Sequence, residues 1–551
     1  MITSPPRIRG GLRWWVFCLA LFAWWVRYHP PGVDLLVFDD DARQHVYWTA
    51  KFQDPELFQD DILTEFISSP LVDPLGYQLL YRLGTSLLDP LVFSQLLSLL
   101  LLVSSLWLLE SWARSFLPDS RGRIVLSMMF LFFSLYNSSG GFPRGFAYPL
   151  LLGFLLLQRK NAMGWAGLLV ILEALFYPPI LLNTLAMAAV GALETVKSLG
   201  LRRELVGKYA LFGASCMLSF GILLAVYGPW DRALMGRQIT VEEARELPEF
   251  HEYGRSKFFR DNVVEYLLLG RSGVGGEYLL GFGTILVGMA AAGGLRVLRA
   301  PRVAIHLAWT SLVLFGAAHV LLFKLHLPSR YTIYTLPLAV MLTVGASSGP
   351  FWDTAGATWR RLWEALPAWA KGAKARFALI LGLGFIYAWA QGHLIVRVDT
   401  QMVAVDTCEL EMLRFLGGLP KNAMIAGHPL DMDNVPLVAR RKVLANHELS
   451  LPYHIGYYRK IRDRLLDTFR AYYAEDWDTV ERFVKQHNIQ ALVVNKDRFK
   501  GDLLEKRIYY EPFDSVVKRS LVGQDKFVLV DPPSGHICFE NKRFVVLCWP
   551  Y

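Results

Sequence analysis

The stretch GLRWWVFCLALFAWWVRYHPPGVDLLVFDDDARQHVYW, residues 11–48, decides the fold. Its first half, residues 11–28, is an apolar, aromatic-rich block behind Arg7, Arg9 and Arg13. Basic residues before an apolar block also mark signal peptides, but no small-residue cleavage site follows and many further apolar blocks do, so the block reads as a retained first transmembrane helix. The second half places Asp39, Asp40 and Asp41 a few residues beyond that helix, and His45 four residues beyond Asp41. Charge concentrated just outside a membrane helix needs a reason, and the side of the membrane on which it lies narrows the choice.

The 551-residue chain is 53% hydrophobic and only 19% charged, with its apolar residues in long blocks, the profile of an α-helical polytopic membrane protein. A formal charge of +9 would suit nucleic acid, but the basic residues cluster at the ends of apolar blocks, where they act as topology signals; no nucleic-acid partner is expected. Five cysteines are too few for a disulfide scaffold. Cys538 and Cys548 flank an expected hairpin, where they either pair or stay free thiols.

At about 20 residues per span, helices are expected near 11–28, 91–112, 124–137, 145–158, 163–177, 178–195, 208–227, 278–295, 303–325, 331–347 and 376–395, about 11 transmembrane helices. The basic clusters test this topology. Arg114, Arg121 and Arg123; Arg159 and Lys160; Lys197, Arg202, Arg203 and Lys208; Arg296, Arg299 and Arg302; and Arg360, Arg361, Lys371, Lys374 and Arg376 all fall on the side of the N-terminus. By the positive-inside rule the N-terminus is cytoplasmic, and residues 396–551 lie outside the cytoplasmic membrane.

Residues 1–395 therefore form a transmembrane domain. Its first outer loop, 29–90, carries eleven Asp and Glu against Arg43, Lys51 and Arg82. Within that loop GYQLLYRLGTSLL has helical periodicity broken by Arg and Gly, the pattern of a helix lying at the membrane surface. Residues 396–551 change to the composition of a soluble α/β domain: NAMIAG, ALVVN, KFVLV and RFVVLC read as strands, WDTVERFVKQHN and YRKIRDRLLDTFRAYY as amphipathic helices. The acids and His428 of AGHPLDMDNVP read as turn and cap residues.

This topology sends four polar connections to one face: the Asp run, NSSGGFPRGF (137–146), FYPP (176–179) and HLPSRYTIY (326–334). Asp39 or Asp40 suits the N-cap of a helix through ARQHVYWTAKF, on which Asp41, His45 and Trp48 share a face, so Asp41 would orient His45. Capping needs one carboxylate. Adjacent carboxylates raise one another's pKa unless a cation or substrate donor shares them, which is the setting for a general base or a divalent metal, and Asp40 and Asp41 are the candidates for both. Arg144 and Arg330 sit beside Gly/Pro breaks at one depth and suit a bidentate grip on phosphate, although an arginine there also snorkels. Arg271, in the glycine-rich LLLGRSGVGG, is a weaker candidate for the same role. His326 and Tyr331 are interface residues or substrate contacts, and Tyr177 reads as packing.

The arrangement resembles the polytopic glycosyltransferases of the C superfold (GT-C). Members carry an acidic motif in the large outer loop after the first helix, interface helices in that loop and, in many cases, a soluble C-terminal domain on the same side. FDDDARQH stands in the expected place, so the resemblance maps the family's base or metal carboxylate onto Asp40 or Asp41. HLPSRYTIYTLPL is similar to the HKExRF signature of the lipid-linked mannosyltransferase branch: His326, Arg330 and Tyr331 match, while Leu327 and Pro328 replace its Lys and Glu.

The resemblance implies an inverting glycosyltransferase that moves a hexose or pentose from a polyprenyl-phosphate carrier to a glycan, lipid or protein acceptor of the cell envelope. His45 would orient an Asp or contact sugar, Arg144 and Arg330 would hold the phosphate, Mg²⁺ or Mn²⁺ is the expected metal, and no organic cofactor is called for. Two alternatives stay open: a transporter or flippase for a lipid-linked or anionic solute, disfavoured by spans with few ionisable residues besides Glu173 and no Walker motif, and an inactive GT-C-like scaffold.

Overall fold

A computed structural model describes residues 11–29, 35–137, 140–199, 203–228, 234–325, 327–365, 402–524 and 526–550. After α1 (Gly11–Tyr28) the chain makes a short strand, β1 (Leu36–Asp39), then α2 (Ala42–His45), α3 (Ile62–Ile67) and α4 (Leu75–Gly84). Seven longer helices follow, α5 (Pro90–Ala113), α6 (Ser120–Asn137), α7 (Ala147–Arg159), α8 (Met163–Phe176), α9 (Pro178–Leu199), α10 (Arg203–Tyr227) and, after the short α11 (Val241–Glu246) and α12 (Val263–Leu268), α13 (Gly276–Gly293). The helices α14 (Arg302–Val320) and α15 (Thr335–Ala365) complete the helical part.

Length decides which of these cross a bilayer. Five helical stretches, Pro90–Ala113, Pro178–Ser198, Tyr209–Tyr227, Arg302–Val320 and Pro328–Thr354, are long and apolar enough among the described residues. The helices at five other expected positions fall short in length or apolarity: α7 and α8 have only 13 and 14 residues, against about 20 for a span. The expected span near 376–395 lies outside the described residues. Eleven expected spans thus become five that length and composition support.

The surface of the long helices fits a multi-pass membrane protein. Met217 and Phe220 on α10 and Trp309 and Val313 on α14 are exposed, which water would penalise and lipid does not. By contrast Leu150–Leu156 of α7 is wholly buried, so this helix is core. The α4 helix shows the expected amphipathic split, with Tyr77 and Tyr81 buried and Leu79 and Leu83 exposed.

Residues 424–548 build a five-stranded sheet of order β4-β3-β5-β7-β6, from β3 (Met424–Gly427), β4 (Lys442–Val443), β5 (Ala491–Asn495), β6 (Ile537–Glu540) and β7 (Phe544–Cys548). β3 runs parallel to β4 and β5, and β7 antiparallel to β5 and β6. The helices Ile455–Tyr472 and Trp477–His487 form where sequence periodicity places them, the second capped by Asp476, which accepts the Thr479 N–H at 2.8 Å. KFVLV is not a strand: Val528–Val530 is a turn of 3-10 helix, its Val528 N–H bonded to the Ala474 carbonyl outside any sheet. Cys538 and Cys548 are disulfide-bonded across the β6–β7 hairpin.

One further strand joins the two halves of the sequence. β2 (Met402–Val405) pairs antiparallel with β1, Leu36 opposite Val405 and Asp39 opposite Met402.

Candidate functional site

The site begins where α1 ends. Asp39 closes β1 with a buried carboxylate that accepts Arg27 Nη2 at 2.7 Å and the Tyr28 hydroxyl, so it fastens the strand to the helix end and caps nothing. Asp41, not Asp39 or Asp40, holds the N-cap position of α2, and its side chain makes no capping bond. The expected long helix splits into α2 and a 3-10 helix, Tyr47–Phe52. With the cap unused, the Asp41 carboxylate is free to pair with the Arg144 guanidinium.

Arg144 is delivered by a tight connection. Gly140, at φ 76°, and Gly141 press against α5, their N–H groups donating to Ser98 Oγ at 3.2 Å and Ser94 Oγ at 3.3 Å, while Tyr81 donates to the Gly141 carbonyl at 3.0 Å. A Cβ on Gly141 would stand 2.7 Å from the Ser94 carbonyl oxygen, so only glycine fits. The following 3-10 turn, Pro143–Phe146, carries Arg144 with its guanidinium 5.5 Å from the centre of the Phe142 ring.

Two more arginines act on the same carboxylate from beyond ion-pair distance. Arg271 lies in the turn between Gly270 and Gly275, both at positive φ, and its carbonyl accepts the Ser329 N–H at 3.4 Å, tying this turn to the 3-10 turn Pro328–Tyr331. Its Nη1 donates to the Tyr453 hydroxyl at 2.9 Å. Arg330, on that second turn, lies in the field of Tyr177, Tyr334, Asp41 and Tyr453, and no described carboxylate comes within ion-pair distance of it. Burial pushes Asp41 up, but Arg144, His45, Arg330 and Arg271 outweigh it and hold the carboxyl below its ordinary range. Asp41 is thus ion-paired with one guanidinium and lies in the field of two more.

Asp41 does not orient His45. His45 Nδ1 instead lies 2.5 Å from Asp73 Oδ1, and Trp48 Nε1 donates to Asp73 Oδ2 at 2.7 Å. Asp73, fully buried, was not singled out in the sequence because it stands alone in a turn before α4. Tyr331 is brought near but turned away: it is buried and donates its hydroxyl to the Leu325 carbonyl at 2.7 Å. Tyr177 packs against Tyr334, hydroxyl to hydroxyl at 3.2 Å. His326 lies outside the described residues.

Asp40 faces the other way, into a cluster that the sequence did not reveal. Arg43 pairs with Asp40, with Glu448 at 2.9 Å and with Asp433 at 3.7 Å; Gln44 donates to Glu448 at 2.6 Å; and Arg255 reaches Glu448 at 3.4 Å and the His447 carbonyl at 2.8 Å. Burial and the charge of Glu448 push the Asp40 carboxyl up to about 6 despite Arg43, and burial pushes Asp433 up to about 8. Glu448 and Asp433 sit in loops after β4 and β3, at the carboxyl ends of the parallel strands, the edge where α/β sheets place functional groups. Asp433 is not a local turn or cap residue: it accepts the Glu448 N–H at 2.9 Å, fifteen positions away, and faces Arg43.

The pair proposed from sequence to hold Mg²⁺ or Mn²⁺, Asp40 and Asp41, meets arginines on both sides. No group of three or more His, Cys, Asp or Glu side chains able to hold a metal converges among the described residues. The donor set is that of an ion-paired anion site.

No protein-family model matches the chain, and no curated protein does. Among solved structures it is similar to the oligosaccharyltransferase AglB from Archaeoglobus fulgidus in complex with an inhibitory peptide and a dolichol-phosphate, with a TM-score of 0.48, 12% identity, and coverage of 93% of this chain and 72% of that one. It is also similar to the Archaeoglobus fulgidus oligosaccharyltransferase tethered with an acceptor peptide (TM-score 0.42, 11% identity, 89% and 70% covered) and in complex with Zn and sulfate (TM-score 0.43, 11% identity, 92% and 70% covered). All three TM-scores lie below 0.5, so the chemistry of the site rests on this chain's own residues.

Proposed function

We propose that the protein is an inverting glycosyltransferase of GT-C type that takes a sugar from a polyprenyl-phosphate carrier and transfers it to a glycan, lipid or protein hydroxyl at the outer face of the cytoplasmic membrane. The observation that carries this reading is the ion pair of Arg144 with Asp41, in a place where Arg271 and Arg330, from two other connections, add their positive charge to the field on the same carboxylate. A surplus of guanidinium charge beside apolar helices suits an anion attached to an apolar chain, as a carrier phosphate is. A phosphate oxygen would bring the missing negative charge, and as the bond to the sugar breaks, charge grows on that oxygen where the guanidiniums already point.

Within this reading Asp41 keeps Arg144 ordered, and Arg330, without an ion-pair partner among the described residues, takes the phosphate directly. Asp40, Asp41 and His45 are the candidates to take the acceptor proton. The outer-face assignment is supported by the distribution of basic clusters over the sequence and by the Cys538–Cys548 disulfide, a bond of oxidising compartments.

The test is transfer of radiolabelled sugar from a panel of undecaprenyl-phosphate hexoses and pentoses to total membrane acceptors, with binding of undecaprenyl phosphate measured alongside. Transfer by wild type that falls on the order of 10²-fold or more in Arg330→Gln supports the reading. Absence of transfer from every donor by folded wild type, together with no binding of undecaprenyl phosphate, ends it.

A further inference from the structure

His45 is held as a proton acceptor is held. Its Nδ1 lies against one oxygen of Asp73 at 2.5 Å, the other Asp73 oxygen is taken by Trp48 Nε1 at 2.7 Å, and the Asp73 carbonyl accepts Gln78 Nε2 at 2.7 Å. The His45 backbone is itself fixed, its carbonyl accepting the Tyr77 hydroxyl at 2.8 Å. Asp73 is wholly buried and the His45 side chain is 18% exposed, so of the two only His45 meets open space. The anion site adjoins it: the His45 ring packs 5.9 Å from Phe142, the same ring against which Arg144 lies, and His45 Nε2 has no hydrogen-bond partner among the described residues.

The other two acids are spoken for. Asp41 neutralises Arg144, and protonating it would strip that guanidinium of its ion-pair partner. Asp40 pairs with Arg43 in the cluster that reaches Glu448 and Asp433.

Resting on the transfer reading above, we propose that His45 Nε2 is the base of the reaction and that Asp73 is its positioning residue. A carboxylate on Nδ1–H fixes the tautomer with the free lone pair on Nε2 and stabilises the imidazolium once it forms. In the step itself the acceptor's O–H proton moves to Nε2 while its oxygen bonds to the anomeric carbon. The bond from that carbon to the phosphate oxygen breaks, its electron pair staying on the phosphate. The proton then leaves Nε2 for the departing phosphate or for water, so carrier phosphate and glycosylated acceptor are the only products. The electrostatics agree with the geometry: burial pulls His45 down, but Asp73 and Asp41 outweigh it and raise the imidazole above its ordinary value.

Two measurements on the full chain in lipid nanodiscs decide this. In the first, histidine is labelled with ¹⁵N and the His45 signal is identified as the one missing from His45→Gln. Its titration midpoint is expected above the ordinary histidine value and is expected to fall by about one pH unit or more in Asp73→Asn. In the second, transfer from the undecaprenyl-phosphate sugar panel is followed against pH. Asp73→Asn is expected to lower kcat on the order of 10²-fold or more, with the acid limb moved to lower pH, KM little changed, and partial recovery in Asp73→Glu. An unmoved His45 midpoint, or an Asp73→Asn profile that matches wild type after scaling for folded protein, overturns the dyad and leaves the glycosyltransferase reading standing. Failure of wild type to transfer from any donor overturns both.

Discussion

Arg43 and Glu448, 405 positions apart in the chain, meet at 2.9 Å with both side chains mostly buried. They join the acidic segment after α1 to the loop after β4, and Asp40, Asp433, Gln44 and Arg255 complete the cluster around them. Removing one member leaves an uncompensated charge in a place water hardly reaches. Glu448→Gln and Arg43→Met are each expected to destabilise the folded chain by about 3 kcal/mol, and the double variant by clearly less than the sum. Thermal unfolding of the three variants in one detergent checks this; strict additivity would mean that the two side chains do not interact.

The same cluster sets a pH dependence. Asp433, pushed up to about 8, binds its proton more tightly folded than unfolded, where an aspartate titrates near 3.9, so folding takes up a proton between those values. Its contribution is therefore largest at low pH and is lost as pH rises from about 4 through about 8. Asp40, pushed up to about 6, works in the same direction over a narrower window. The unfolding midpoint of Asp433→Asn, followed from pH 5 to 9, is expected to vary less with pH than that of wild type.

Asp41 works with the opposite sign. Its carboxyl is held below the ordinary range, so the stability it contributes is present above pH about 4 and is lost as the pH falls through its lowered value. Asp41→Asn is accordingly expected to flatten the acid limb of the stability profile below pH 4, measured by intrinsic tryptophan fluorescence.

The phosphate assignment separates Arg330 from Arg144. Arg330→Gln removes a guanidinium that has no described ion-pair partner, so binding of undecaprenyl phosphate is expected to weaken by tenfold or more, about 1.4 kcal/mol, with little change in thermal stability. Arg144→Gln is expected to lower both, because it also strips Asp41 of its counter-charge.

Gly141→Ala offers a test that touches no charged group. The new methyl would stand 2.7 Å from the Ser94 carbonyl oxygen, and the connection carrying Arg144 must move away from α5 to admit it. A cost of about 1–3 kcal/mol in stability and a drop in undecaprenyl phosphate binding are expected. Gly207→Ala, where a Cβ meets nothing within 4 Å, is the neutral control in the same two assays.

Five of the expected spans were legible because long apolar blocks state their length. The connections that carry Asp41, Arg144 and Arg330 were grouped by alternating sides along a polytopic chain, which leave few options for each, while Arg271 stood only as a weaker candidate. Their partners were not. Asp73 is a single acid in a turn, and nothing local says that it accepts from both His45 and Trp48. Arg43 looked like one cation among acids, yet Glu448 and Asp433 reach it from the far end of the chain. KFVLV is a short apolar run like a buried strand, but Val528 bonds to Ala474 and no neighbouring strand receives it among the described residues. Local pattern encodes an element's own periodicity; pairing across hundreds of residues depends on a tertiary arrangement that no local window contains.

The β1–β2 ladder sets a timing on assembly. Residues 36–39 emerge from the ribosome early and 402–405 late, so the acidic segment waits, unpaired along that edge, until nearly three quarters of the chain has been made. Loop closure over such a separation comes after the local helical contacts have formed. A chain that stops short of residue 402 lacks the strand that seats Asp39, and with it Glu448 and Tyr453, which reach Arg43 and Arg271. Truncated or stalled products that end before Tyr453 therefore carry the helices without a finished centre.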